Sequence, residues 1–529
     1  MDRRTIVALT LCLLIFVGWQ ELYLKKQVAP VPPPAPAANT ASTAPPPVAT
    51  GAEAAARLAP AIEPAKNLPE TNEAVSMHTG EAFISSRNAV LSNWSMKDYQ
   101  MSQAADARHV DLHTLTFESE NIRLGFDSPE LAYLNQVNGR LTRENGALIW
   151  LYEDANVRIQ RDVKHAADAV ALDLTWNIQF KKTPAKVAFV SMLGQAPKDD
   201  PEAHDRKIGY FRKELHKHAL NSLPEKTEAV EAPVKWVALM NRYFTLAMVN
   251  QSAQPPAAVI QPLGVHQVIG SLAYPITGNS LIIPLKVYFG PKHLDLLRAV
   301  DVSLDTAVDF GWFTIIAYPL LWLLKWFYGF FHNYGVAIIC LTLVVRLITF
   351  PLNYKSMVNM KKMAVLQPQI QAMREKYKDD PQAMNKEMLT FMRTQGYNPV
   401  AGCLPILVQM PIFFALYQVL YSAVELYQAP FALWIHDLSL KDPYYVTPIL
   451  VTAVFYFQQK LTPNTVTDPA QQKMLQFMPI IFGVFMANTP SGLGVYFFVN
   501  ALSGIIQQQL LNKKLGPSTQ VPTVVARAR

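Results

Sequence analysis

The chain has 529 residues, half of them hydrophobic and only 16% charged, with a formal net charge of +7. Its mean hydropathy of +0.11 averages over uneven stretches: apolar runs crowd the N-terminus and the region after residue 310, while the middle reads as a water-soluble domain. This excludes a disordered chain and a plain cytosolic enzyme and predicts a polytopic α-helical membrane protein. The basic residues crowd the loops between apolar segments, so membrane topology explains them better than nucleic acid, and no sequence-specific nucleic-acid binding is expected. Cys12, Cys340 and Cys403 all sit in apolar runs and support neither a disulfide framework nor a zinc site.

At the N-terminus Asp2-Arg3-Arg4 precedes an apolar stretch, 5–24, long enough to cross a bilayer. No small-x-small cleavage site follows Gly18 closely, so residues 1–25 are expected to form an uncleaved anchor. Residues 26–73, rich in Ala and Pro, read as an extended linker that can bury too little to fold. From 74 to 305 the texture is that of a mainly β, sandwich-like domain. Strand candidates are 121–126, 169–180, 235–249 and 280–289, with turns at Asn138-Gly139, Asn145-Gly146 and Gly278-Asn279. His109, His113, His216 and His218 lie there without a Cys or carboxylate at ligand spacing, so surface histidines are expected rather than a metal site.

The insertion into the bilayer is expected over 306–512. Residues 310–331 carry so many aromatic side chains that a helix lying in the interface fits better than a span. Spans are expected at about 335–351, 402–424, 444–460, 476–488 and 491–511, which with the anchor makes six, five of them forming a core. Between the first two, 355–398 reads as a helical hairpin (about 356–378 and 382–396), and 513–529 is a tail. The hairpin region has eight Lys/Arg against four acidic residues, whereas 425–445 has only Lys441 against Glu425, Asp437 and Asp442. The positive-inside rule therefore puts the hairpin and both chain ends in the cytoplasm and the β domain outside.

Arg346 is the sharpest feature, about 8 Å inside the cytoplasmic end of its helix. Two readings fit: a guanidinium facing a wet cavity, or one snorkelling to nearby phosphates. Thr342 lies one turn away on the same face, Gln409 lies about 10 Å into a helix entering from the same side, and Tyr496 and Asn500 share a face of the last span. Gln418 is a weaker candidate. Each alone is commonly an interhelical hydrogen bonder; together they can line a positively charged pocket. In the hairpin, Met360, Met363, Met373, Met384 and Met388, with Met357 and Met392, either pack the two helices together or offer an adaptable apolar surface to partners. There is no GxxxxGK[ST], HExxH or GxSxG motif, so no catalytic residue, cofactor or metal is expected, and the work is one of binding and partitioning. A secondary transporter and a tethered envelope scaffold are the rival classes; the first lacks visible inverted repeats and an acidic coupling residue.

Several segments carry a family likeness. Asn398-Pro399-Val400-Ala401-Gly402-Cys403-Leu404-Pro405, Gln409-Met410-Pro411-Ile412-Phe413 and the run from Gln428-Ala429-Pro430 to Asp437-Leu438 resemble the YidC membrane protein insertase family. So do Asp442-Pro443-Tyr444-Tyr445, Thr465-Val466-Thr467-Asp468-Pro469 and Pro490-Ser491-Gly492-Leu493, in the family's order across about 310–512. In the outer domain Asn241-Arg242-Tyr243-Phe244 and Tyr288-Phe289-Gly290-Pro291 look similar to the Gram-negative branch, whose large domain is a periplasmic β-sandwich. The resemblance implies an energy-independent insertase and chaperone of the inner membrane. It implies nascent membrane proteins, ribosome–nascent chain complexes, the Sec translocon with its accessory subunits, and the lipid bilayer as partners. The family's groove arginine, threonine and glutamine match Arg346, Thr342 and Gln409, a last-span tyrosine matches Tyr496, and the hairpin matches its recruiting loop. An adjacent family tyrosine is Phe497 here.

Overall fold

The computed structural model describes residues 70–515, apart from 78, 105, 117–120, 145, 166–169, 183, 198–199, 201–202, 378–379, 395–398 and 462–468. The expected anchor 1–25, nearly all of the linker 26–73 and most of the tail 513–529 lie outside the described residues. The remainder forms two compact units that divide between Val308 and Asp309, each described by itself.

The first unit is built from antiparallel sheets. The largest contains β1 (Arg140–Glu144), β2 (Ala147–Glu153), β3 (Val157–Lys164), β4 (Leu172–Phe180), β5 (Lys207–Phe211), β6 (Leu215–Ala219), β7 (Trp236–Met240), β8 (Phe244–Asn250) and β9 (Ser280–Pro291). Their spatial order is β6-β5-β7-β8-β9-β4-β3-β2-β1. A five-stranded sheet and a four-stranded sheet complete the unit. Strict alternation along β4 buries Leu172, Leu174, Trp176, Ile178 and Phe180 on one face, the period-two pattern of a half-buried strand. The five-stranded sheet packs closely on the large one through two glycines. A Cβ at Gly194 would stand 2.4 Å from Leu239, and one at Gly270 would stand 2.5 Å from Ile208.

The segment 235–249, expected as one strand, is a hairpin, β7 and β8. The side chain of Asn241 accepts hydrogen bonds from the backbone N–H of Tyr243 (2.9 Å) and Phe244 (2.7 Å) and so closes a turn. Apolar content continues through both arms, so hydrophobic periodicity hides the reversal, whereas an Asx turn is a local side-chain device. The core also holds an unexpected charge. Arg161 of β3 is completely buried, its guanidinium 4.5 Å over the Trp176 ring, and none of its three nitrogens is hydrogen-bonded among the described residues. Of the singled-out histidines, His109 and His216 are exposed and His113 and His218 half-buried, His218 lying 2.8 Å from Glu228.

The second unit is helical: α1 (Thr314–Phe331), α2 (Tyr334–Lys376), α3 (Pro381–Thr394), α4 (Pro399–Ser422), α5 (Val446–Leu461), α6 (Pro469–Met486) and α7 (Ser491–Leu515). Among the described residues, 311–331 and 334–359 are long and apolar enough to cross a membrane, and 474–486 is a shorter apolar helix. Helix α1 buries Ala317, Leu320, Leu321 and Leu324 and turns Ile315, Trp322, Trp326 and Phe330 outward. The first core span and the first hairpin helix, read from the sequence as separate elements, are one continuous helix of 43 residues that passes through Pro351 and Pro368. Each proline removes one backbone hydrogen bond, and the helix runs on through the bonds made by its other residues.

Candidate functional site

Helices α2, α4 and α7 pack against one another and bring together residues distant in sequence. A cavity of about 350 Å³ is lined by Arg346 and Asn353 of α2, Gln409 of α4, and Tyr496 and Asn500 of α7. Met410, Phe413, Phe482 and Phe497 form its apolar walls. Arg346 donates from Nη2 to the backbone carbonyl of Asn500, while its Nε is buried with no hydrogen-bond partner among the described residues. Gln409 donates from Nε2 to the Tyr496 hydroxyl at 3.3 Å, and the tyrosine is 1% exposed. The lining is therefore rich in donors. One cation, held by a single carbonyl, stands among neutral polar groups and apolar walls, where its charge is weakly screened.

Thr342 is placed differently from the other four. It is fully buried, donates to the Ile338 carbonyl one turn back at 2.6 Å, and does not line the cavity. A helical threonine satisfies its own hydroxyl in this way when no other acceptor faces it. Gln418 is half-buried and does not line the cavity either. In the hairpin Met373, Met384 and Met388 are half-buried while Leu366 and Ile370 are buried. Met360 and Met363 fall within α2, with side chains outside the described residues.

Neither Asn353 nor Gly504 was singled out from the sequence. Asn353 lies two turns beyond Arg346 on the same face. Gly504 continues the Tyr496 and Asn500 face of α7, and a Cβ there would stand 2.7 Å from Nε2 of Gln458 and 3.2 Å from Nη2 of Arg346. The i, i+4, i+8 spacing of Tyr496, Asn500 and Gly504 was the available signal. Phe497 packs edge-on against Phe482 with ring centres 4.8 Å apart and lies 5.4 Å from Phe413. Its position is an aromatic contact, which needs no hydroxyl.

The opposite ends of the helices are tied by the loop between α4 and α5. Asp442, buried at 3% exposure, accepts from the backbone N–H and hydroxyl of Thr447, both at 2.6 Å, from the Tyr444 N–H and from the Trp434 indole. Burial alone would raise its pKa, yet these donors hold the carboxyl below its usual value. The same loop binds the start of α7, with the Ser491 N–H on the Leu440 carbonyl and the Gly492 N–H on that of Leu438. Asn333, at the start of α2, donates to the Phe431 carbonyl at 2.9 Å. This cap fixes the spacing of α2, α5 and α7, and with it the geometry of the cavity.

Residues 326–518 match the family described as 60Kd inner membrane protein, and 148–323 match the YidC periplasmic domain. The chain is 34% identical over 541 residues to a membrane protein insertase YidC of Geobacter metallireducens, covering 97% of this chain and 99% of that one. It is 34% identical over 549 residues to one of Nitratidesulfovibrio vulgaris, with the same coverage. Among solved structures it is similar to an active YidC insertase with the first transmembrane domain resolved, at 19% identity and a TM-score of 0.36, covering 85% of this chain and 94% of that one. Full-length identity at this level, matching both the membrane and the periplasmic portions, shows that the chain belongs to the YidC family of membrane protein insertases.

Proposed function

We propose that the cavity around Arg346 is the groove through which this chain inserts and folds integral inner-membrane proteins, alone or with the Sec translocon, and without hydrolysing nucleotide. The observation that carries the reading is the convergence of Arg346, Gln409, Tyr496 and Asn500 on one cavity inside the helical unit. In the proposed topology six spans leave both termini in the cytoplasm, the α2–α3 hairpin on that side and the β domain in the periplasm. The charge asymmetry between 355–398 and 425–445 supports this arrangement.

A nascent membrane protein, delivered with its ribosome, first meets the methionine-bearing hairpin, whose thioethers suit varied apolar segments. Its polar tail then enters the groove. An aspartate placed at the centre of a bilayer costs roughly 3 kcal/mol on the insertion scale, and each Leu, Ile, Phe or Val moved into lipid returns about 0.3–0.6 kcal/mol. A span with about ten such residues thus covers one or two acidic residues, provided that they do not cross bare hydrocarbon first. Arg346 supplies a counter-charge along that path, so partitioning of the apolar segment replaces ATP as the driving term. The donors lining the groove bind and guide; none forms a covalent bond with the passing chain.

The test uses the purified chain in proteoliposomes without nucleotide or translocon, given a freshly synthesised small membrane protein with an acidic translocated tail. Protease protection of that tail above the level in empty liposomes is expected, with a marked loss for Arg346→Ala. Equal protection with Arg346→Ala across a panel of substrates would remove the groove charge from the mechanism.

A further inference from the structure

The two segments of the β domain singled out in the sequence, Asn241–Phe244 and Tyr288–Pro291, meet in space. Phe244 of β8 is paired with Pro291 of β9, and the backbone N–H of Lys292 donates to the Tyr243 carbonyl at 2.8 Å. The Tyr288 hydroxyl donates to the Pro291 carbonyl at 2.6 Å and pins the same corner. Lys292 therefore lies beside the β7–β8 turn that carries Arg242. The neighbouring strand brings two more cations to this end of the sheet. Lys207, the first residue of β5, is paired with Met240, the last residue of β7 before the turn. Lys217 of β6 is paired with Gly209, which makes it a diagonal neighbour of Lys207 on the same face.

Four cations are thus gathered at one corner: register places Lys207 and Lys217, the β7–β8 turn carries Arg242, and Lys292 follows the last residue of β9. Asp205 is the carboxylate that offsets them in the charges felt by Lys207 and Lys292. The Arg242 guanidinium is held 4.8 Å over the Tyr243 ring, which fixes its plane before any ligand arrives. Lys207, Lys217 and Lys292 are each half-buried, so their ammonium groups are partly stripped of water and their repulsion is poorly screened. We propose that Lys207, Lys217, Arg242 and Lys292 form a binding site on the β domain for a phosphate-bearing anion. A fixed guanidinium with several movable ammonium groups matches a tetrahedral group that carries charge on several oxygens. A lone carboxylate would leave most of this charge uncompensated.

The electrostatics agree with the geometry. Burial, and then the neighbouring cations, push both the Lys217 and the Lys292 amines down to about 7. A bound anion favours the charged amines and raises them again. Binding therefore takes up protons near neutral pH and weakens as pH rises above 7, with Asp205, Lys207, Lys217, Arg242 and Lys292 as the groups involved.

The experiment uses the full chain in detergent micelles at about pH 7.5, where low-pKa amines are nucleophilic. It is exposed briefly to an N-hydroxysuccinimide ester, and acylation at each lysine is read by mass spectrometry. Exposed Lys213 and Lys226 serve as internal standards. Inorganic pyrophosphate is expected to slow labelling of Lys217 and Lys292 about threefold or more, the change when an opposite charge raises an amine's pKa by about one unit. Chloride at the same ionic strength is expected to have no such effect. Protection by pyrophosphate in micelles identifies a soluble phosphate compound as a ligand. Protection seen only after reconstitution into vesicles containing phosphatidylglycerol, and not into phosphatidylcholine alone, identifies a lipid headgroup as the source of the same chemistry. Lack of protection in both settings overturns the site. Persistence of Lys217 protection in a folded Lys207→Gln/Lys292→Gln variant overturns it as well.

Discussion

The missing side chain of Gly504 is what leaves room for the guanidinium of Arg346. A Cβ at 504 would stand 3.2 Å from Nη2 of Arg346 and 2.7 Å from Nε2 of Gln458, while the same Nη2 is anchored on the Asn500 carbonyl one turn before Gly504. The position of the charge in the cavity is thus set by α7 as much as by the helix that bears it.

Gly504→Leu should therefore displace Arg346 and reduce insertion of substrates with acidic tails by about tenfold, the effect of losing about 1.4 kcal/mol of interaction along the path. Gly504→Ala should cost less, because Gln458 can swing aside. Both are measured by protease protection in proteoliposomes, with a substrate carrying a neutral tail as the control. An unchanged acidic-tail substrate in Gly504→Leu would show that the seat of the guanidinium does not matter.

Arg346→Lys separates charge from shape. Lysine keeps the cation but lacks the planar fork that reaches the Asn500 carbonyl. Acidic-tail insertion should stand between that of the native chain and that of Arg346→Ala. Activity equal to Arg346→Ala would mean that hydrogen-bond geometry, rather than charge, is what the groove supplies.

Asp442 holds the start of α5 with charge-assisted hydrogen bonds. Asp442→Ala should destabilise the helical unit by roughly 2–3 kcal/mol, since Thr447, Tyr444 and Trp434 lose their acceptor. Because its folded pKa lies below the ordinary value, its contribution is present above the unfolded pKa and is lost as pH falls through the folded one. Thermal unfolding in detergent at pH 7 and at about pH 3 should show a larger difference between native and variant at pH 7.

Arg161 is a buried cation without a hydrogen bond among the described residues, and burial pushes its guanidinium down to about 9. Replacing it with an apolar residue of similar volume removes a desolvation cost, so Arg161→Met should raise the unfolding temperature of the β domain, by the equivalent of about 1–4 kcal/mol. A depressed cation pKa means that the unfolded chain binds more protons. The native domain should therefore gain from this group as pH rises above about 9, a dependence that the variant lacks. A fall in stability in Arg161→Met at pH 7 would mean that the charge is compensated in the folded domain.

The sequence alone determined the division of the chain into a β-rich domain and an apolar helical half, because hydropathy and period-two alternation are local properties that survive without tertiary information. It also picked out Arg346, Gln409, Tyr496 and Asn500, since polar groups inside apolar helices are costly wherever they fall and so are conspicuous in a single sequence. The folded structure decided the rest. It turned Thr342 away from the cavity onto its own helix, made Gly504 the seat of a charge on another helix, folded 235–249 into a hairpin through the Asn241 side chain, and ran one helix through two prolines. It also buried Arg161 against Trp176 and gathered Lys207, Lys217, Arg242 and Lys292 at one corner. The seat of the guanidinium, the Arg161–Trp176 contact and the lysine corner depend on which surfaces meet, through register and packing between segments far apart in sequence. The Asn241 turn, the Thr342 hydroxyl and the helix through two prolines are local, but hydrophobic periodicity carries no record of them.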